Sequence, residues 1–173
     1  YKGLGQLSNK VDRMEKLAAL IATYIPGCSK TDASKAAGLS KSDLVTGMVG
    51  EFPELQGIMG SYYASAQAVA ASQVLAIRDH YLPKGAADRL PETLEGVAVS
   101  MADKIDTLVG FFGANVRPTG SKDPFALRRA ALGILRLIDE RAIQIPLDKI
   151  FIKAAALYGL SLIHISEPTR QSL

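Results

Sequence analysis

Hydrophobic side chains recur at three- and four-residue spacing along most of this chain, a pattern that predicts α-helices. The first segment has Ser8 or Asn9 as a candidate cap, ends at Pro26-Gly27, and aligns five apolar residues: Val11, Met14, Leu17, Ala18 and Ile21. The clearest amphipathic segment spans 94–113, and its predicted buried face is Ala98, Met101, Ala102, Ile105, Leu108, Val109 and Phe112. No alternating run is long enough to predict a strand, so we expect an all-α domain of about eight helices.

The other predicted boundaries rest on local signals. A capping box, Ser40-Lys-Ser-Asp43, is expected to open a helix that Phe52-Pro53 interrupts. Asp123-Pro124 predicts the start of a helix that runs to about Ala142. The remaining predicted helices span about 31–37, ended by Gly38, and about 54–63, 66–81 and 148–158.

Composition narrows the class of protein. The 173 residues are 48% hydrophobic and 21% charged, an ordinary balance for one globular domain. A single Cys excludes an internal disulfide, and two His nearly exclude a His-rich metal centre. No apolar stretch approaches the ~18 residues of a membrane span, and no signal peptide is visible. We therefore expect a cytoplasmic protein without membrane contact, and the net charge of +3 permits nucleic-acid binding without requiring it.

The two ends are unlike the rest of the chain. It begins with Tyr1, as expected of a piece of a longer polypeptide or of a trimmed chain. Residues 161–173, SLIHISEPTRQSL, resemble translated adaptor or vector read-through, the alternative being a natural polar tail. We accordingly assign 1–160 to one helical domain and 161–173 to a non-native tail, and His164 carries no functional weight.

Acidic residues supply the first candidate sites. Asp103 and Asp106 are about 60° apart on their predicted helix, with Asp103 away from the apolar face and Asp106 at its flank. Such a pair can hold a divalent cation or receive an Arg from a neighbouring helix. Asp43 is a possible metal ligand, although the capping box already accounts for it. His80 fits packing or capping better than catalysis.

Basic residues supply the other candidate site. Lys122, Arg129 and Arg136 are seven residues apart and align on one helix face, with Arg128 beside them. The opposite face is predicted to be apolar and buried: Leu127, Ala131, Ile134, Leu135 and Ile138. A row of exposed cations suits contact with nucleic-acid phosphates, and an ordinary solvated face is the alternative.

Three blocks of sequence carry a resemblance to a known family: Lys41–Gly60, Asp79–Pro83 leading into Met101–Phe112, and Pro118–Arg136, which contains GSKDPFALRRAALGI. Together they resemble the β subunit of the bacterial heterotetrameric glycyl-tRNA synthetase over about residues 1–160. Residues 61–74 depart from the family by lacking an acidic, glycine-containing turn, which places the helix boundary there in question.

The resemblance implies a degenerate HD-like helical bundle that serves as an RNA-binding scaffold. HD phosphohydrolases use His and Asp ligands around a metal; here Ser42 precedes Asp43 where a His-Asp pair would stand, and Asp103 resembles the last Asp. Ser42, Asp43, Asp103 and Asp106 are thus expected to be structural remnants, with neither metal nor catalytic residue in this segment. In this family the α subunit activates glycine with ATP and Mg²⁺, so no cofactor is expected here.

The leading hypothesis is therefore a tRNA-handling part of a glycine–tRNA ligase. Its expected partners are tRNA-Gly, the α subunit and the remainder of the β subunit, and its expected tRNA-binding residues are Lys122, Arg128, Arg129 and Arg136. One alternative is a metal-dependent phosphohydrolase that uses Asp43 and Asp103. The other is a docking domain, in which the basic stripe faces protein carboxylates or Arg128 and Arg129 pair internally with Asp103 or Asp106.

Overall fold

A computed structural model describes residues 4–120 and 122–159, and these residues confirm the all-α prediction because they contain helices and no strand. Eight α-helices follow one another within them: α1 (Leu7–Ala22), α2 (Lys30–Leu39), α3 (Gly47–Glu51), α4 (Ile58–Ala66), α5 (Ala71–Asp79), α6 (Leu94–Gly113), α7 (Leu127–Glu140) and α8 (Leu147–Leu157). Two short 3₁₀ turns, Ser42–Val45 and Pro53–Leu55, flank α3. The tail 161–173, with His164, lies outside the described residues.

Helix α6 is the centre of the bundle and contacts α1, α2, α5, α7 and α8. Its bounds match the predicted segment, and the hydroxyl of Thr93 caps its start by accepting a hydrogen bond from Gly96 N at 3.0 Å. The predicted apolar face is buried except for Phe112, which is 38% exposed. Burial of a large apolar side chain such as Met101 or Ile105 contributes about 1.5–3 kcal/mol, so this face of α6 is a large contributor to core stability.

The capping predictions near the N-terminus are wrong in detail. Gln6, not Ser8 or Asn9, is the N-cap of α1, and its backbone N–H donates to Asn9 Oδ1 at 3.0 Å. Helix α1 ends at Ala22, before Pro26 is reached.

The predicted capping box at Ser40–Asp43 is also absent. Ser40 Oγ instead donates back to Ala37 O, and Asp43 faces a later part of the chain. Gly38 lies inside α2 and does not terminate it. A Cβ at Gly38 would meet the side chain of Glu15, so this glycine allows α1 and α2 to approach closely.

Later boundaries follow the predicted signals more closely. Phe52-Pro53 ends α3 as expected, and the doubtful stretch 61–74 does contain a break, since Ala68 is left-handed between α4 and α5. The predicted start of α7 at Asp123-Pro124 is wrong, because the helix begins at Leu127 with Ala126 as its N-cap. The Asp123 carboxylate still accepts from Leu127 N at 2.7 Å and Arg128 N at 2.8 Å. Within the described residues, no helix combines the length and apolar character needed to cross a bilayer.

A buried ionic cluster and a candidate nucleic-acid interface

Lys41, His80 and Asp103 meet in the interior, each delivered by a different element. Lys41 follows α2, His80 ends α5, and Asp103 lies in the middle of α6. The Lys41 Nζ is 2.9 Å from His80 Nε2 and 3.0 Å from Asp103 Oδ2. His80 Nδ1 is 2.6 Å from the carbonyl of Ile77, which can only accept. Nδ1 therefore carries the ring proton, and Nε2 accepts from the Lys41 ammonium.

Helix α1 provides further cations to the same face of α6. Lys10 Nζ lies 2.9 Å from Asp103 Oδ1, so Asp103 is held between two ammonium groups. Arg13 Nε lies 2.6 Å from Asp106 Oδ1, and Tyr158 Oη donates to Asp106 Oδ2 at 3.0 Å. Of the two roles predicted for the acidic pair, pairing with an Arg from a neighbouring helix is thus confirmed for Asp106. The prediction that Asp103 points away from the core is wrong, because these partners neutralise it inside the bundle.

Burial and charge set the protonation states of the cluster. Burial opposes ionisation of Asp103, but Lys10 and Lys41 outweigh it and hold the pKa of that carboxyl well below its usual range. Burial, together with the Lys41 charge, lowers the pKa of His80 to about 3, so the imidazole is neutral. Burial also lowers the pKa of Lys41 to about 8, against the opposing effect of Asp103. At neutral pH the cluster therefore contains an ammonium, a neutral imidazole and a carboxylate.

Asp43 fixes the start of α4. Its Oδ2 accepts from Gly57 N at 2.7 Å and Gly60 N at 3.0 Å. Both glycines are required locally: Gly57 has φ of +80°, and a Cβ at Gly60 would stand 3.1 Å from the carboxylate. Asp43 Oδ1 is buried and has no hydrogen-bond partner among the described residues. The neighbouring Ser42 is exposed, and it is part neither of the cluster around Lys41 nor of the contacts made by Asp43.

These groups do not form a metal centre as they stand. Within 4–120 and 122–159, no three His, Cys, Asp or Glu side chains come together as a ligand set. The Lys41 ammonium lies between His80 Nε2 and Asp103 Oδ2 and contacts both of them. The residues present therefore do not fit the metal that an HD-type phosphohydrolase would need.

The basic stripe on α7 lies on the outer surface, and its members differ in how firmly they are held. Arg128 is exposed and donates to the carbonyls of Thr119 and Gly120. Arg136 pairs with Glu140 one turn on. Arg129 and Lys122 are exposed, and neither has a side-chain partner within the described residues. The expected internal pairing of Arg128 or Arg129 with Asp103 or Asp106 is wrong, because Lys10, Arg13 and Lys41 take those positions.

A groove runs between α7 and the loop that follows α5. Lys84, Arg129 and Arg136 line it together with Pro83 and Gly133. A second cleft of about 300 Å³ shares Pro83, Lys84 and Arg129 with the groove and is also lined by Tyr81, Lys104 and Phe125. Leu132, which lines the groove, is 64% exposed. Leu135, also on α7, is 56% exposed, so the prediction that it is buried is wrong. This surface combines cations with apolar area.

Sequence reasoning missed most of the cationic partners. Lys10, Lys41 and Lys84 carry no local signal, since a lysine between helices is exposed by default. It also missed Asp79, which is buried and held by Arg78 at 2.8 Å and Arg89 at 2.6 Å. A run of acidic and basic residues at 78–92 was the available hint, but only the loop geometry brings them together.

Comparison with known proteins gives one consistent result. The family model described as glycyl-tRNA synthetase beta subunit matches residues 1–172. A glycine–tRNA ligase beta subunit from Magnetococcus marinus is 53% identical over 158 residues, which is 90% of this chain and 23% of that protein. The corresponding protein of Pseudomonas entomophila is 54% identical over 144 residues, 83% of this chain and 21% of that protein. The chain therefore spans about a quarter of the length of the relatives it matches.

Proposed function

Because this chain belongs to the glycyl-tRNA synthetase beta subunit family, we propose that it binds and positions tRNA-Gly for ATP-dependent glycylation. The named relatives are ligase subunits about four times as long. The ATP and Mg²⁺ of the reaction belong to the α subunit in this proposal, and this segment contributes no catalytic residue. Its partners are tRNA-Gly, the α subunit and the remainder of the β subunit, in the cytoplasm.

The observation that supports this proposal most is the groove beside α7. Lys84, Arg129 and Arg136 line it, and neither Lys84 nor Arg129 forms an ion pair with another described residue. Cations that are not neutralised within the fold are available to phosphate oxygens. Lys122 and Arg128 extend the same surface toward the loop before α7. These residues contact the phosphates near the acceptor arm, and they position the RNA without reading its sequence.

The cations of the interior are not available to a ligand in this way. Lys10, Arg13 and Lys41 are also cationic, but each is committed to a buried carboxylate. Arg78 and Arg89 are committed to Asp79 in the same way. On the α7 side, Lys84, Lys122 and Arg129 form no ion pair with another described residue, so their charge is available to a ligand although the net charge of the chain is only +3.

The test is tRNA-Gly binding by this chain, titrated across salt, with all four stripe residues Lys122, Arg128, Arg129 and Arg136 changed to Glu. A matched control changes four other exposed lysines to Glu, with the same change in net charge: Lys16, Lys35, Lys149 and Lys153. Each lost phosphate contact lowers the slope of log K against log salt by about 0.7–0.9. We expect the stripe variant to lose about three units of slope and most of its affinity, whereas the control loses far less.

Equal losses in both variants would mean that binding depends on net charge alone, and the assignment of the interface to α7 would be rejected. Unchanged affinity in the stripe variant would reject it as well. Circular dichroism and melting curves of both variants verify that the fold is retained.

A docking role is the second candidate, and one observation favours it. Large apolar side chains are exposed on the segment around α3 and α4, including Val45 at 83% and Tyr62 at 66%. Neighbouring parts of a subunit four times as long can cover such a surface. Replacement of Val45 and Tyr62 by Ser distinguishes the roles: a docking surface loses assembly with the remaining subunit while the chain still binds tRNA.

A further inference from the structure

The two side chains that contact the Lys41 ammonium, His80 and Asp103, are of the types that bind metal cations. An imidazole nitrogen and a carboxylate oxygen, both common metal ligands, lie 2.9 Å and 3.0 Å from one ammonium nitrogen. The ring is held in the tautomer that presents a lone pair at Nε2, because Nδ1 donates to Ile77 O. That second hydrogen bond is the arrangement that usually orients a histidine ligand toward a metal.

We propose that the Lys41 ammonium is a built-in cation that takes the place of a metal ion between His80 and Asp103. The cluster is then complete without a divalent ion, and this chain provides no metal centre for hydrolytic chemistry at that position.

The surroundings support an internal cation over an accidental contact. Lys41 is 4% exposed, His80 is fully buried, and Lys10 neutralises the second oxygen of Asp103. Tyr81 adds its ring face, with its centroid 3.8 Å from the Lys41 nitrogen, which is a favourable cation–π position. Buried ions of this kind persist only when they are paired and hydrogen-bonded. The Lys41 ammonium has both, because Asp103 pairs with it and His80 accepts a hydrogen bond from it.

Substitution at position 41 tests the proposal. A glutamate ends one bond short of a lysine ammonium, so a metal about 2 Å beyond its oxygen would lie near the present Nζ position. Lys41→Glu should therefore place a third ligand beside His80 and Asp103. Lys41→Met has a side chain as long as that of glutamate, with neither a charge nor an oxygen ligand, and is the matched control. All variants are made in a His164→Gln background, which leaves His80 as the only imidazole in the chain.

The probe is Co²⁺, whose visible absorption reports its ligands and geometry. We expect Lys41→Glu to bind one equivalent and to melt roughly 5–10 °C higher at about 100 times its Kd. The parent chain and Lys41→Met should show neither effect, and His80→Phe should abolish binding in Lys41→Glu. Nitrogen NMR of the parent should show His80 protonated at Nδ1, with no paramagnetic shift on addition of Co²⁺.

Three results would overturn the proposal. Stoichiometric binding of Co²⁺ at His80 in the parent would mean that the lysine does not occupy the cation position. Failure of Co²⁺ to bind or to restore folding in Lys41→Glu would mean that the remaining groups are not a ligand set. Binding that survives His80→Phe would place the metal elsewhere.

Discussion

Acid should destabilise this protein well above the range in which carboxylates titrate, because His80 is buried without charge. An imidazole titrates near pH 6.5 in an unfolded chain, whereas burial lowers the pKa of His80 to about 3. As the pH falls below about 6.5, the unfolded state takes up a proton that the folded state refuses. The stability contribution is thus complete above pH 6.5 and is lost as the pH falls toward 3.

The expected magnitude follows from that interval. Between about pH 7.5 and 4.5 the loss is about 2.5 kcal/mol, at a limiting slope of about 1.4 kcal/mol per pH unit. His80 is fully buried, so solvent screening does not reduce the effect. Such a loss is a large fraction of the 5–15 kcal/mol typical of a domain, and it precedes the titration of Asp103, whose pKa lies well below its usual value.

Urea unfolding at a series of pH values measures the slope directly. His80→Gln, which keeps a polar group but cannot take up a proton in this range, should be less stable at pH 7.5 and should show a nearly flat profile. His164→Gln is the matched control and should retain the slope of the parent. A parent profile that is flat between pH 7.5 and 4.5, or one that His164→Gln flattens, would refute the reasoning.

Three further predictions concern the packing around α6 and are measured by chemical unfolding. Arg13→Met leaves Asp106 without its main counter-charge and should cost about 2–4 kcal/mol, much of which the added change Asp106→Leu should recover; no recovery would contradict a charge effect. Asp43→Ala removes the acceptor of two backbone N–H groups and should cost about 2–3 kcal/mol, whereas Asp43→Asn should cost less; equal costs would argue against these hydrogen bonds. Gly110→Ala would bring a Cβ within 2.4 Å of Tyr158 Oη and should cost about 1–3 kcal/mol; an unchanged free energy of unfolding would contradict close packing of α6 against Tyr158.

The helical architecture was predictable because its signals are local. The segment 94–113 shows both its bounds and its buried face in the spacing of apolar residues. The capping predictions failed where a polar side chain has a partner distant in sequence. Asp43 was predicted to belong to a capping box, but its carboxylate accepts from Gly57 N and Gly60 N. No local pattern distinguishes these two uses of an aspartate.

The buried cluster was harder to predict because the burial of a charged side chain depends on its ion-pair partners as well as on its position in the helix. Helical spacing alone placed Asp103 toward solvent, and only the lysines of α1 and of the segment after α2 make its burial possible. A lysine gives no sign in the sequence that it will be internal. The basic stripe on α7 was visible in the sequence, since surface residues keep the spacing of their own helix, but the role of Lys84 depends on the loop that faces it.

The most direct test of the account is aminoacylation by the complete synthetase carrying Arg129→Glu in its β subunit. Arg129 lines the groove and has no partner within the described part of the chain. The account predicts a KM for tRNA-Gly raised about tenfold, with the KM values for glycine and ATP unchanged and with Lys149→Glu close to the parent. An unchanged KM for tRNA-Gly, or an equal rise in Lys149→Glu, would contradict the assignment of the tRNA interface to this groove.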